Sequence, residues 1–305
     1  MNTSPHVNLL ESKRWNDYEL LDSGNSLKLE RFGPYRFVRP EAQAIWKPAL
    51  TSSAWSDVHG TFVSTGEESG GHWKVHKQMD DHWEMKYSLE RPVHDLRFKV
   101  MTTPGRHLGV FPETAAHWDW MAGLIHSARR PIKVLNLFGY TGLATLAAAA
   151  AGASVTHVDA SKKSIGWARE NQSLSGLDDR PIRWIVDDAM KFVQREGRRG
   201  VRYDGILLDP PKFGRGPKGE VWEVFKSLPE LLESCRFVLS DAPLFIALTV
   251  YAVRASAIHL TYALQDVVKG QKGNFDSGEL VMREKSAGRL ISHAVYSRWE
   301  SSLSR

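Results

Sequence analysis

Two hydrophobic rhythms divide this chain of 305 residues. Over the first ~105 residues, short alternating runs such as Ser26-Leu-Lys-Leu-Glu-Arg-Phe32 and Tyr35-Arg-Phe-Val38 are separated by Gly and Pro, the punctuation of short strands and turns. Thr65–Gly71 reads as a mobile loop. A strand-like run, Arg106–Glu113, leads into a helix over Thr114–Arg130 with Trp118, Met121, Leu124 and Ile125 on one face. From Pro131 the pattern becomes regular. Strands are expected at Ile132–Phe138, Ser154–Val158, Ile182–Val186, Tyr203–Leu208 and Leu244–Thr249. Helices are expected between them at Leu143–Ala151 (stopped by Gly152), from Ser161 to about Leu174, at Ala189–Arg195, and at Val221–Val238 with Pro229 as a kink. A helix from Ala255 to about Val268 and strands at Gly278–Arg283 and Ala294–Arg298 close the chain.

Such β/α alternation predicts a doubly wound, mostly parallel α/β sheet of seven strands with helices on both faces and an antiparallel edge. Residues 1–105 form a smaller β-rich domain ahead of it, and residues 106–305 the α/β domain. Seven of the eleven tryptophans (Trp15, Trp46, Trp55, Trp73, Trp83, Trp118 and Trp120) fall before residue 121. They read as core of the β-rich unit, with a stacking surface for unpaired bases as the alternative.

Composition is that of an ordinary globular protein. A net charge of +5 permits a nucleic-acid partner without demanding one. A single cysteine, Cys235, excludes an internal disulfide and a Cys-based zinc site, and no other metal site is read. The polar start, Met1-Asn-Thr-Ser-Pro-His6, lacks the apolar stretch of a signal peptide, and the longest apolar run, Leu143–Ala153, is too short to span a bilayer. A cytoplasmic location without membrane association is expected.

Chemistry concentrates at strand ends, where ligands bind in open parallel sheets. Gly139 and Gly142 follow the first strand and let backbone approach a ligand. Leu137 stands where a dinucleotide fingerprint needs a further glycine, which points to an amino-acid-bearing nucleoside instead. Asp159 ends the second strand and can accept from both hydroxyls of a ribose, or else cap the next helix. Asp187-Asp188-Ala189 ends the third: Asp188 is the better candidate for an adenine amine, which leaves Asp187 as the helix N-cap. Asp209-Pro-Pro-Lys-Phe213 ends the fourth, and its prolines fix the backbone so that carbonyls can face an acceptor. Phe213 either stacks on that acceptor or closes the loop as core, Lys212 meets a phosphate or solvent, and Gly214–Gly219 is a flexible basic loop. Arg195, Arg198, Arg199 and Arg202 read as a solvated helix end, with a phosphate-binding stripe as the alternative.

The order and spacing of Asn136-Leu-Phe-Gly-Tyr-Thr-Gly142, Asp159, Asp188 and Asp209-Pro-Pro-Lys-Phe213 resemble the class I S-adenosylmethionine-dependent methyltransferases. More narrowly they resemble the bacterial large-subunit ribosomal-RNA methyltransferases that make 5-methylcytosine or 7-methylguanine, over roughly residues 105 to 300. The resemblance implies S-adenosylmethionine as cofactor, with Asn136, Gly139 and Gly142 at its methionine moiety, Asp159 at the ribose, Asp188 at the adenine amine and Asp209 near the sulfonium. The wider cofactor set is Phe111, Phe138, Tyr140, Thr141, Ala160, Ser161, Asn171, Asp187 and Ala189. Asp209, Pro210, Pro211, Lys212 and Phe213 form the catalytic set. Glu113 stands where the family usually has Asp. Carbon methylation of cytosine needs a thiolate, which the cytosine-5 relatives carry at the end of the fifth strand. Here that stretch is Leu248-Thr-Val-Tyr251, without cysteine. An RNA methyltransferase acting on a ribosomal-RNA base at nitrogen is therefore the leading expectation. The alternatives are a methyltransferase for a small molecule or a protein side chain, and a noncatalytic binding module.

Overall fold

The computed structural model describes residues 6–65, 70–251 and 255–302, so most of the Thr65–Gly71 loop lies outside the described residues. The N-terminal part comprises β1 (Val7–Glu11), β2 (Tyr18–Gly24), β3 (Leu27–Phe32), β4 (Tyr35–Pro40), a short α1 (Ser52–Ser56), β5 (Gly60–Ser64), β6 (Gly71–Val75), β7 (Trp83–Leu89) and β8 (His94–Val100). Strands β2 to β6 form one five-stranded sheet in sequence order, and β7 and β8 a separate antiparallel pair. In β7–β8 every second residue (Met85, Tyr87, Leu89; Leu96, Phe98, Val100) is buried, the two-residue period of a half-buried sheet.

The remainder alternates as the pattern predicts: α2 (Ala115–Ser127), β9 (Lys133–Leu137), α3 (Leu143–Ala150), β10 (Ser154–Asp159), α4 (Lys162–Leu174), β11 (Ile182–Val186), α5 (Ala189–Arg198) and β12 (Gly205–Leu208). A hairpin follows, β13 (Phe213–Arg215) and β14 (Val221–Glu223), then α6 (Val224–Arg236), β15 (Phe245–Tyr251), α7 (Ala257–Val267), β16 (Gly273–Arg283) and β17 (Leu290–Ser301). Val221–Glu223 is thus strand where helix is expected. Trp222 explains it: the ring is buried and its Nε1 donates to the Pro211 carbonyl at 2.7 Å, which holds the segment against β13.

The large sheet runs β11-β10-β9-β12-β15-β17-β16-β1, with only β17 antiparallel to its neighbours. The seven expected strands are there, and an eighth from residues 7–11 pairs parallel with β16, so the sheet has eight. Strand order reverses between β9 and β12, which opens a crevice above their C-terminal ends. Along β9, Val134 packs into the core shared with α2 and α3, whereas Leu135 and Leu137 face α5, α6 and α7. The first of these cores is continuous from Tyr18 and Phe37 of the N-terminal sheet, through Phe98, to Ile291 of β17. Six of the seven tryptophans before residue 121 belong to it or pack against it, and Trp55 packs on a separate cluster of Leu29, Val38 and Val58. Trp83 and Trp118 are buried, and Trp15 packs among Tyr18, Tyr87, Phe98 and Trp118. The indole N–H groups of Trp15, Trp46, Trp55, Trp73 and Trp120 all bond within the protein.

Polar ties join the two parts as well. Buried Glu30 accepts two bonds from Arg39 at 2.7 Å and one from Tyr18 at 2.9 Å. Lys28 reaches His293 of β17, and Ser23 bonds to buried Glu284.

Candidate active site

The turn after β9 has an unusual backbone. Phe138, Tyr140 and Gly142 all have positive φ (59°, 50° and 87°). For the two aromatic residues this costs about 1–3 kcal/mol each, and it persists only where surroundings enforce it. They do: the Phe138 ring packs on Trp222, and Tyr140 lies between Phe111 and Trp167. The N–H groups of Gly139, Tyr140 and Gly142 bond within the protein, to the Val158 carbonyl, Asp159 Oδ2 and the Gly139 carbonyl. Gly139 and Gly142 answer to internal packing. A Cβ on Gly139 would sit 2.3 Å from the His157 ring, and one on Gly142 2.9 Å from Ala168. Gly139 lines the cleft as well, so packing against the protein's own second layer stands beside the expected close approach of a ligand there.

Beneath the turn runs a buried chain. Asn136 Nδ2 donates to Thr145 Oγ1 at 2.9 Å, and Thr145 Oγ1 lies 2.9 Å from His157 Nδ1. Burial lowers the His157 pKa to about 3, so the ring is neutral. Asn171, expected at the cofactor, is instead fully buried; it accepts from the Lys99 N–H and donates to the Thr141 carbonyl. It holds the turn from behind. Thr141 Oγ1 in turn donates to the Gly109 carbonyl at 2.7 Å.

Asp159, at the end of β10, accepts from the Tyr140 N–H at 2.9 Å and the Ser161 N–H at 2.8 Å. It does not cap α4, since Ser161 does so by accepting from Ser164. Burial raises its pKa. Ala160 is half-buried between these two. After β11 the helix N-cap falls on Asp188, where Asp187 is expected. Asp188 is the N-cap of α5, accepting from the Lys191 N–H at 3.0 Å, while Asp187 pairs with Arg195 at 2.6 Å. A cap needs extended backbone one residue before the helix, and only Asp188 has it. Ala189 turns into the core beneath.

Asp209 ends β12. Its Oδ1 is buried without a partner among the described residues, and its Oδ2 lies 3.4 Å from the Tyr251 hydroxyl. Burial and the nearby Glu113 carboxylate push its pKa up to about 8. Glu113 is itself buried, and burial raises it too. Tyr251 occupies the strand end where a thiol would be needed for cytosine-5 chemistry, and its ring faces Phe111 at 5.4 Å. Cys235 is buried on the inner face of α6, its thiol pushed up to about 12 by burial. The Pro211 carbonyl is taken by Trp222, so it does not face an acceptor. Phe213 is 56 % exposed, which excludes the core reading, and Lys212 lies over its ring at 5.3 Å. Of the loop expected over Gly214–Gly219, Gly214 and Arg215 are strand, paired with Trp222 and Val221, and residues 216–219 lie in the hairpin tip.

A cleft of about 610 Å³, its mouth included, gathers Phe111, Asn136, Phe138, Gly139, Tyr140, Thr141 and Asp209. Asp159, Ser161, Asp187 and Asp188 lie beyond it at the ends of β10 and β11. Thr114, His117 and Thr249 also line it and were missed. Residues 114, 117, 118 and 121 share the inner face of α2, and their spacing is that of any core helix.

The S-adenosylmethionine-dependent methyltransferase family matches residues 72–243. The chain is 48 % identical to an S-adenosylmethionine-dependent methyltransferase from Agrobacterium tumefaciens, whose crystal structure superposes with a TM-score of 0.89 over 98 % of this chain and 97 % of that one. A methyltransferase structure from Streptococcus mutans, 16 % identical, shares the fold with a TM-score of 0.69 over 94 % of this chain and 76 % of its own. Among curated proteins, ribosomal RNA large subunit methyltransferase K/L of Shewanella baltica is 32 % identical over 63 % of this chain. That of Shewanella sp. strain ANA-3 is 29 % identical over 56 %. The match spans about a quarter of the length of these relatives, 26 % and 23 %. The chain belongs to the S-adenosylmethionine-dependent methyltransferases. Its cofactor is S-adenosylmethionine, and the crevice fits it: an apolar cleft with an unpartnered carboxylate oxygen at Asp209 continues past a row of strand-end carboxylates.

Proposed function

We propose that this protein methylates a nitrogen of an RNA base, in ribosomal RNA, in the cytoplasm. The observation that carries the choice of nitrogen is Asp209: a carboxylate with a buried, unpartnered oxygen at the mouth of the cleft, with no thiol near it among the described residues. The RNA half is supported by the ribosomal-RNA methyltransferases among the relatives and by the net charge of +5. Residues 1–105 would serve as the part that selects the substrate.

Bound cofactor supplies a methyl group on sulfur, already activated for in-line displacement, so the protein's task is positioning. In this reading Asn136, Thr141 and the turn Phe138–Gly142 hold the methionine half, Asp159 with Ala160 and Ser161 the ribose, and Asp187 and Asp188 the adenine edge. Asp209 Oδ1 accepts one amine hydrogen and the Pro210 carbonyl the other, which turns the nitrogen lone pair toward the methyl. Methyl transfer would leave a surplus proton on the nitrogen, which the ionised form of Asp209 would take up and pass on to solvent. With a pKa pushed up to about 8 Asp209 is mostly protonated at neutral pH, so it is the ionised form that takes the proton, and methyl transfer should rise as pH approaches 8. Phe213 stacks on the base, and Lys212 and Arg215 face its phosphates.

The test is transfer of labelled methyl from S-adenosylmethionine to total RNA of a strain lacking the protein, beside its protein and small-molecule fractions. Label in RNA that disappears with Asp209→Ala, with an N-methylated nucleoside on digestion, is the expected result. Label confined to another fraction rejects RNA as the acceptor.

A further inference from the structure

His117 has no role in the account so far, yet it is the polar side chain most in need of a partner. It lies on α2, 5 % exposed, and lines the cleft together with Asn136, Asp209 and Thr249. Its ring packs against Trp120 and Tyr296. Neither Nδ1 nor Nε2 has a hydrogen-bond partner among the described residues. Burial and the Arg298 guanidinium push its pKa down to about 3, so the imidazole is neutral, with one N–H to donate and one nitrogen to accept. Leaving such groups dry is costly, and a bound partner removes the cost.

The partner follows from the layout. The ribose and adenine edges face β10 and β11, on one side of β9, and the acceptor must arrive at Asp209, above β12. His117 lines the cleft together with Ala247 and Thr249 of β15, the strand that lies across β12 from β9, β10 and β11. That leaves the amino-acid end of the cofactor, whose carboxylate needs donors, and among the described residues no lysine or arginine lines the cleft. We propose that His117 binds the α-carboxylate of S-adenosylmethionine through its ring N–H and thereby fixes the sulfonium against Asp209. The proposal rests on the cofactor alone, so it stands whether or not RNA is the acceptor.

The experiment compares two ligands by calorimetry on the whole protein. S-adenosylhomocysteine carries the amino-acid end, and 5′-methylthioadenosine lacks it. His117→Phe, which fills the same aromatic pocket, is expected to weaken S-adenosylhomocysteine about 10- to 100-fold and to leave methylthioadenosine within about twofold. His117→Leu repeats the comparison where the larger ring over-packs, and His117→Gln, which restores an N–H, recovers part of the loss. Equal weakening of both ligands would mean a merely structural ring and overturn the proposal. So would unchanged binding of S-adenosylhomocysteine.

Discussion

Two residues carry charges or contacts that predict measurable behaviour. Asp209 has a folded-state pKa raised to about 8 from an ordinary value of 3.8. Below pH 4 it is protonated both folded and unfolded. As pH rises from 4 to 8 only the unfolded chain releases the proton, so this group's stabilising contribution is lost across that window. Asp209→Asn should therefore leave thermal stability unchanged at pH 4 and raise it at pH 8, by on the order of 1–2 kcal/mol, while methyl transfer falls on the order of 100-fold. A melting curve without any gain at pH 8 would contradict the raised pKa. Gly139 is constrained from below. Gly139→Ala brings a Cβ to 2.3 Å from the His157 ring, so it should cost about 1–3 kcal/mol, and His157→Ala in the same chain should recover part of that loss in a double-mutant cycle. The sequence made Gly139, Asp159 and Asp209 legible because glycines and carboxylates at strand ends are rare and regularly spaced. It could not reveal His157 or Thr145, which look like ordinary strand and helix residues until folding stacks them under the turn. Nor could it reveal the positive φ of Phe138 and Tyr140, residue types that seldom adopt it.

Among the elements, the alternating α/β half was readable because each strand is a short apolar run bounded by a turn. The hairpin β13–β14 was not, because three-residue strands have no period to detect and the helical pattern of α6 extends back through Val221. Its significance is exposure: Phe213, Val221 and Phe225 are 56, 74 and 60 % exposed beside Asp209-Pro-Pro. Phe213→Ala should change stability by less than about 0.5 kcal/mol and leave S-adenosylhomocysteine affinity intact. It should lower methyl transfer to RNA about tenfold through KM, since one base–aromatic stack contributes about 1–3 kcal/mol. A loss confined to kcat, or a fall in cofactor affinity, would assign the ring a different part.

The two parts of the molecule share one apolar core and a buried ionic knot. Glu30 is held down to about 2 by Arg39 and Lys28. Its contribution to stability is present above about pH 4.5 and is lost as pH falls toward 2. Arg39→Met, which strands the buried carboxylate, should cost about 3–5 kcal/mol, and replacing Glu30 and Arg39 together by apolar residues of similar size should cost less. Acid titration of the melting temperature in both variants checks this. Because Arg39 also donates to the Arg106 carbonyl at 3.0 Å, next to the segment that carries Phe111, Arg39→Met should weaken cofactor binding too.

The edge strand β1 has a consequence in time. Val7 pairs with Ser277, and Glu11 with Val281. On a ribosome adding about 5–20 residues per second, β1 emerges roughly 15–55 s before the partner it pairs with has been made. Throughout that interval Leu10, which packs against Leu280, Ala294 and Tyr296 in the folded sheet, has nothing to pack on, so a nascent chain stalled before β16 should be a better chaperone client than one stalled after β17.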